Sequence, residues 1–115
     1  MQERTWILNA LVPPVGAGTI LVNRPLPLDD PELLELVREK AKEAEKEGRC
    51  LIGHPATAAL LGVKPSRGEA TPEPGDVAYV IRLRRRRADT IGDVQDVEPK
   101  DLELRFVEYR PFSFD

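Results

Sequence analysis

The chain has 115 residues and a single cysteine, Cys50, so no disulfide can form within it. It also has a single histidine, His54. One of each cannot supply the usual ligand set of a structural zinc within one chain. No apolar run approaches the ~20 residues that a membrane span needs. The opening residues, MQERTWILNALV, lack the basic start and long apolar core of a secretory signal. Positive charge is not in excess either. The net charge is −3, which argues against general DNA binding and makes any basic site a local one. Glutamine and asparagine are scarce (Gln2, Gln95, Asn9, Asn23), while charged residues make up 32% of the chain. That is the compositional pattern of thermophile proteins. The expectation is a cytoplasmic single domain spanning residues 1–115, with no membrane contact, no metal and no cofactor.

What is present is a well-punctuated alternation of strands and helices. TWILNALV, residues 5–12, is apolar and ends at Pro13-Pro14, which predicts a first strand. TILVN, residues 19–23, predicts a second, closed by Pro25 and Pro27. Asp29 or Asp30 caps a helix that has Pro31 in its first turn and Gly48 after its end. Leu33, Leu34, Val37, Ala41 and Ala44 share one face of it. Its Glu and Lys residues read as a solvated surface. RCLIG predicts a short buried strand, and PATAALLG a short helix stopped by Gly62. Residues 64–76 carry Pro65, Gly68, Pro72, Pro74 and Gly75 and read as a loop. DVAYVIRLRRRR, residues 76–87, predicts the longest strand. Residues 88–100 are polar and turn-rich, and DLELRFVEYR, residues 101–110, predicts the last strand. Interleaved strands and helices without a repeat or linker predict an α/β domain: a mixed sheet of about five strands flanked by helices.

His54 sits at the junction of a strand and a helix, after Gly53 and before Pro55. There it falls at or beside the N-cap, with Pro55 at the first helical position. The N–H groups of Ala56, Thr57 and Ala58 would then be free donors at a helix start, which favours an anion such as phosphate. Thr57 could add its hydroxyl, and Gly53 would let a ligand approach the backbone. An imidazole beside a phosphate suits proton transfer. A purely structural cap remains the alternative, because the turn lacks the lysine and glycine spacing of a P-loop.

The arginine run has the same two sides. In a strand, Ala78, Val80, Arg82, Arg84 and Arg86 face one way; Tyr79, Ile81, Leu83, Arg85 and Arg87 face the other. Five arginines within residues 82–87 of an acidic protein point to a local anion site, since guanidinium forks match phosphate oxygens. The alternative is a charged strand end that discourages edge pairing.

Taken in order, ILNALV, LIGHPATAALLG, PGDVAYVIRLRRRR and LRFVEYRPF resemble the small viral anti-CRISPR ring nucleases that act against type III systems. The likeness covers most of the chain, and the Ile-Gly-His with a threonine three residues on is its most specific piece. The resemblance implies a homodimer whose partner is cyclic tetra-adenylate. It implies metal-independent cleavage of that ring to linear products ending in a 2′,3′-cyclic phosphate. It places the catalytic histidine at His54, a phosphate-contacting arginine at Arg86 with Arg84 and Arg85 beside it, and an acidic partner at Asp89. Asn9, Ala10, Gly53 and Thr57 match positions near the ligand. Val12 and Pro55-Ala56 depart from the family pattern at the expected pocket wall.

Two further functions compete with cleavage. One is a sponge that holds a cyclic oligonucleotide without cutting it. The other is a regulator that binds nucleic acid or protein through the arginine-rich strand.

Overall fold

The computed structural model describes residues 3–14, 18–83 and 98–111. Within them, strands β1 (Thr5–Leu8), β2 (Thr19–Leu26), β3 (Cys50–Leu51), β4 (Val77–Leu83) and β5 (Leu102–Pro111) alternate with helices α1 (Pro31–Lys46) and α2 (Pro55–Leu61). The strands form one mixed sheet in the order β2-β5-β4-β1-β3. β1 lies parallel to both β3 and β4, whereas β5 runs antiparallel to β4 and β2. The expected α/β architecture of five strands is therefore the one observed.

Alternation along the strands explains how the sheet is covered. Ile7, Tyr79, Ile81, Leu102 and Leu104 meet Val37, Ala41, Ala44, Ala56, Ala58 and Leu61 in one buried cluster. Both helices thus pack on the same face, where the sequence suggested helices flanking the sheet. The opposite face carries Trp6, Leu8, Ala78, Val80, Val107 and Tyr109, with Val12, Leu21, Leu51 and Ala70 packed around them. No described helix is long and apolar enough to cross a membrane.

The element ends follow local chemistry. The Asp30 carboxylate accepts from the Glu32 N–H at 3.0 Å, which fixes Asp30 as the cap of α1. Gly62 ends α2 in the left-handed region at φ 75°, open to glycine at little cost. Two boundaries differ from expectation. β1 stops at Leu8, because its parallel partner β3 is only two residues long and Asn9 turns to bond elsewhere. β2 runs on to Leu26 through Pro25, which an edge strand tolerates because one side of it needs no donor. β4 ends at Leu83, and the next described element is a 3-10 turn at Pro99–Asp101 that leads into β5.

The amino end of the β1/β4 pair is clamped by Asp76, which is 4% exposed. Its carboxylate accepts from Arg4 Nε at 3.0 Å, Arg4 Nη2 at 2.8 Å, Trp6 Nε1 at 3.0 Å and the Glu73 N–H at 2.9 Å. Burial works against this charge, but the bonds from Arg4, the Glu73 N–H and Trp6 outweigh it and hold the carboxyl below its ordinary value. The candidate site lies at the opposite, carboxyl ends of β1 and β3.

Candidate functional site

In a sheet with parallel strands, ligands favour the crevice beyond the strand carboxyl ends. Here β1 delivers Asn9 there, and β3 delivers Gly53 and His54. The Asn9 Oδ1 accepts from the Gly53 N–H at 2.9 Å and ties the two strand exits together. α2 is held in register by Arg38 of α1, whose Nε donates to the Leu60 carbonyl at 2.9 Å. Residues 64–70 then fold back over the turn, with the Ser66 N–H donating to the Ile52 carbonyl at 2.9 Å.

These elements line an open cavity of about 480 Å³ formed by Asn9, Leu51, Gly53, His54, Pro55, Ser66, Arg67 and Gly68. That is within the size range of small-molecule pockets. Among the described residues its lining carries one arginine, one histidine and no carboxylate, a charge that favours an anion. Arg67 lies across Gly53: a Cβ there would sit 3.1 Å from both Cγ and Nε of the arginine. The absent side chain of Gly53 thus makes room for the guanidinium arm.

His54 is the N-cap of α2, as the sequence indicates. Its Nδ1 accepts from the Thr57 N–H at 3.3 Å and lies 3.2 Å from the Thr57 Oγ1. A nitrogen that accepts from an N–H carries no proton, so the neutral ring holds its proton on Nε2. This geometry corrects the expectation of three free helix donors. The Thr57 N–H is taken by the imidazole, and the Ala58 N–H donates to the His54 carbonyl at 3.0 Å. Thr57 is 2% exposed and does not line the cavity; its hydroxyl meets the histidine instead. Ala10 is exposed and outside the lining. Val12, expected in the pocket wall, packs on the sheet face opposite α1 and α2, and its carbonyl accepts from the Tyr109 hydroxyl at 2.7 Å.

Arg84, Arg85, Arg86 and Asp89 lie outside the described residues. The first arginine of the run, Arg82, lines a separate cavity of about 330 Å³ with Leu11, Asn23, Val80, Glu103, Arg105 and Val107. There the Arg82 Nη2 is 3.8 Å from the Glu103 carboxylate, so its charge is locally offset.

The sequence does not single out Ser66 or Arg67, and it marks Gly68 only as a turn residue. They sit in a stretch legible only as turns, and a backbone bond to Ile52 is what returns them to the histidine. An arginine flanked by small residues in that stretch was the available signal.

No protein-family model matches the chain, and no curated protein matches it. Among solved structures it is similar to B116 of Sulfolobus turreted icosahedral virus, with a TM-score of 0.61 and 20% identity over 92% of this chain and 99% of that one. Likeness at that identity establishes a shared fold.

Proposed function

We propose that the protein is a metal-independent ring nuclease that opens cyclic tetra-adenylate and so counteracts type III CRISPR signalling. The observation that carries this reading is the convergence of the lone histidine, Asn9 and Arg67 on one cavity. The fold shared with a viral protein is compatible with it. In the reaction a ribose 2′-oxygen attacks the adjacent phosphorus and the bond to the 5′-oxygen breaks. One product end is a 2′,3′-cyclic phosphate. This step needs alignment, a proton for the leaving oxygen and stabilisation of charge on the phosphoryl oxygens. His54 supplies the proton, and Arg67 stabilises the charge. Asn9 acts by holding the Gly53 turn. Arg86, with Arg84 and Arg85, and Asp89 keep the roles that the family resemblance implies.

A ring of four nucleotides is larger than the single cavity. A symmetric homodimer would present two equivalent cavities to a ligand with repeating phosphates. The test is incubation of the purified protein with cyclic tetra-adenylate in EDTA. Linear products with a cyclic phosphate end support the proposal. An intact ring that stays bound identifies a sequestering protein, and a ring that is neither cut nor bound rules out cyclic tetra-adenylate as the ligand.

A further inference from the structure

The structure also carries an inference about how His54 is set for its task, which rests on the proposed reaction. We infer that Thr57 is a positioning residue for His54, and that its hydroxyl accepts the Nδ1–H that appears whenever the ring is protonated there. Three observations support it. Thr57 is 2% exposed, so its hydroxyl must find its partner inside the protein. That hydroxyl lies 3.2 Å from His54 Nδ1. The Thr57 backbone N–H already donates to the same nitrogen, at 3.3 Å.

The two groups differ in what they tolerate. A backbone N–H can only donate, so it holds the ring only while Nδ1 is bare. A hydroxyl donates or accepts, so it holds the ring with or without a proton on Nδ1. The bare-Nδ1 neutral ring has its proton on Nε2 and no lone pair there, so Nε2 cannot act as a base. The doubly protonated ring can act as an acid through Nε2. The sequence of bonds then balances. The 2′-oxygen bonds to phosphorus and loses its proton to water. The P–O5′ bond breaks, and the 5′-oxygen takes the proton from Nε2. The ring left behind is neutral, with its remaining proton on Nδ1 and directed at the Thr57 oxygen. A proton from water restores it for the next cycle.

Two variants separate this role from simple packing. Thr57→Val keeps the β-branch and the volume but removes the hydroxyl; Thr57→Ser keeps the hydroxyl. In single-turnover cleavage of cyclic tetra-adenylate with EDTA, Thr57→Val should slow the chemical step by about tenfold, the scale of one hydrogen bond lost in the transition state. Its affinity for the ring should stay unchanged, and Thr57→Ser should recover most of the rate. A Thr57→Val protein that cleaves at the parent rate overturns the assignment. So does a Thr57→Ser protein as slow as the valine variant.

A second readout needs no turnover. His54 is the only histidine, so labelled imidazole gives one Nδ1 and one Nε2 signal in nitrogen NMR. At a pH where the ring carries both protons, the Nδ1–H should exchange slowly with water in the parent and Thr57→Ser proteins. In Thr57→Val it should exchange fast. Equal exchange in all three refutes the contact. A protected Nδ1–H in a protein that cleaves nothing would leave the contact standing and remove the nuclease reading instead.

Discussion

Replacing Asp76 with asparagine removes one charge and almost no volume, and the geometry fixes what is lost. Oδ2 accepts three bonds, from Arg4 Nη2, Trp6 Nε1 and the Glu73 N–H, while Oδ1 accepts one, from Arg4 Nε. The best asparagine rotamer keeps its oxygen at the three-bond position. Its amide nitrogen then faces Arg4 Nε, donor against donor. One charge-assisted bond is lost, worth about 1.5–3 kcal/mol, and the other three weaken. Arg4 is about one-third exposed and regains some hydration, so the total stays near the lower part of the ~3–5 kcal/mol seen for broken buried pairs. The expected loss is about 2–3 kcal/mol.

The assay for this substitution is urea unfolding of both proteins across a range of pH. The folded carboxyl is held below its ordinary value, so its stabilisation is complete above the unfolded carboxylate range of about 4. It is lost as pH falls through the lower folded value. The gap between parent and Asp76→Asn should therefore be full near neutrality and should close in acid. A gap under ~0.5 kcal/mol at neutral pH, the ordinary scatter of surface changes, would refute the clamp. A gap that widens in acid would refute the sign.

Other substitutions address the site and the fold. His54→Asn should keep the α2 cap and yet cut cleavage by roughly 10²-fold or more, and full activity in this variant would reduce His54 to a cap. Arg67→Ala should weaken binding of cyclic tetra-adenylate by about tenfold in calorimetry, with a smaller effect at high salt; unchanged affinity would remove Arg67 from the site. Sedimentation should give a homodimer, and a monomer with and without ligand would exclude a shared ring pocket. Gly62→Ala should cost roughly 1–2 kcal/mol in thermal unfolding, because alanine disfavours the left-handed cap; a neutral result would mean that the cap relaxes.

The fold was legible wherever a local rule decides structure. Asp30, Pro31 and Gly48 mark α1 because capping acts within a few residues. The alternation of Leu102, Leu104 and Phe106 marks β5 because one sheet face is buried against helices. Pairing lengths were less legible, since they depend on partners far away in the chain. β1 looked eight residues long, but it stops at four because β3 offers only two residues and Asn9 is needed at the turn.

The same division runs through the site. His54 at a cap could be read directly, because the glycine before it and the proline after it specify the turn. That its cap would consume the Thr57 N–H could not be read, because side-chain rotation decides it. That choice changes the chemistry. A helix start with three free donors favours an anion; here the second donor is turned onto the imidazole, and in the proposed site the positive charge comes from Arg67. Arg67 lies across Gly53, where an added Cβ would sit 3.1 Å from its side chain, and its neighbour Ser66 is tied to Ile52. The local cap thus aims the histidine, while long-range contacts bring in the positive charge. Removing the Gly53 space with alanine should therefore displace Arg67 before it disturbs His54, and should weaken ring binding more than it slows cleavage of the ring that still binds. Equal losses in both steps would mean that the two groups are not separately positioned.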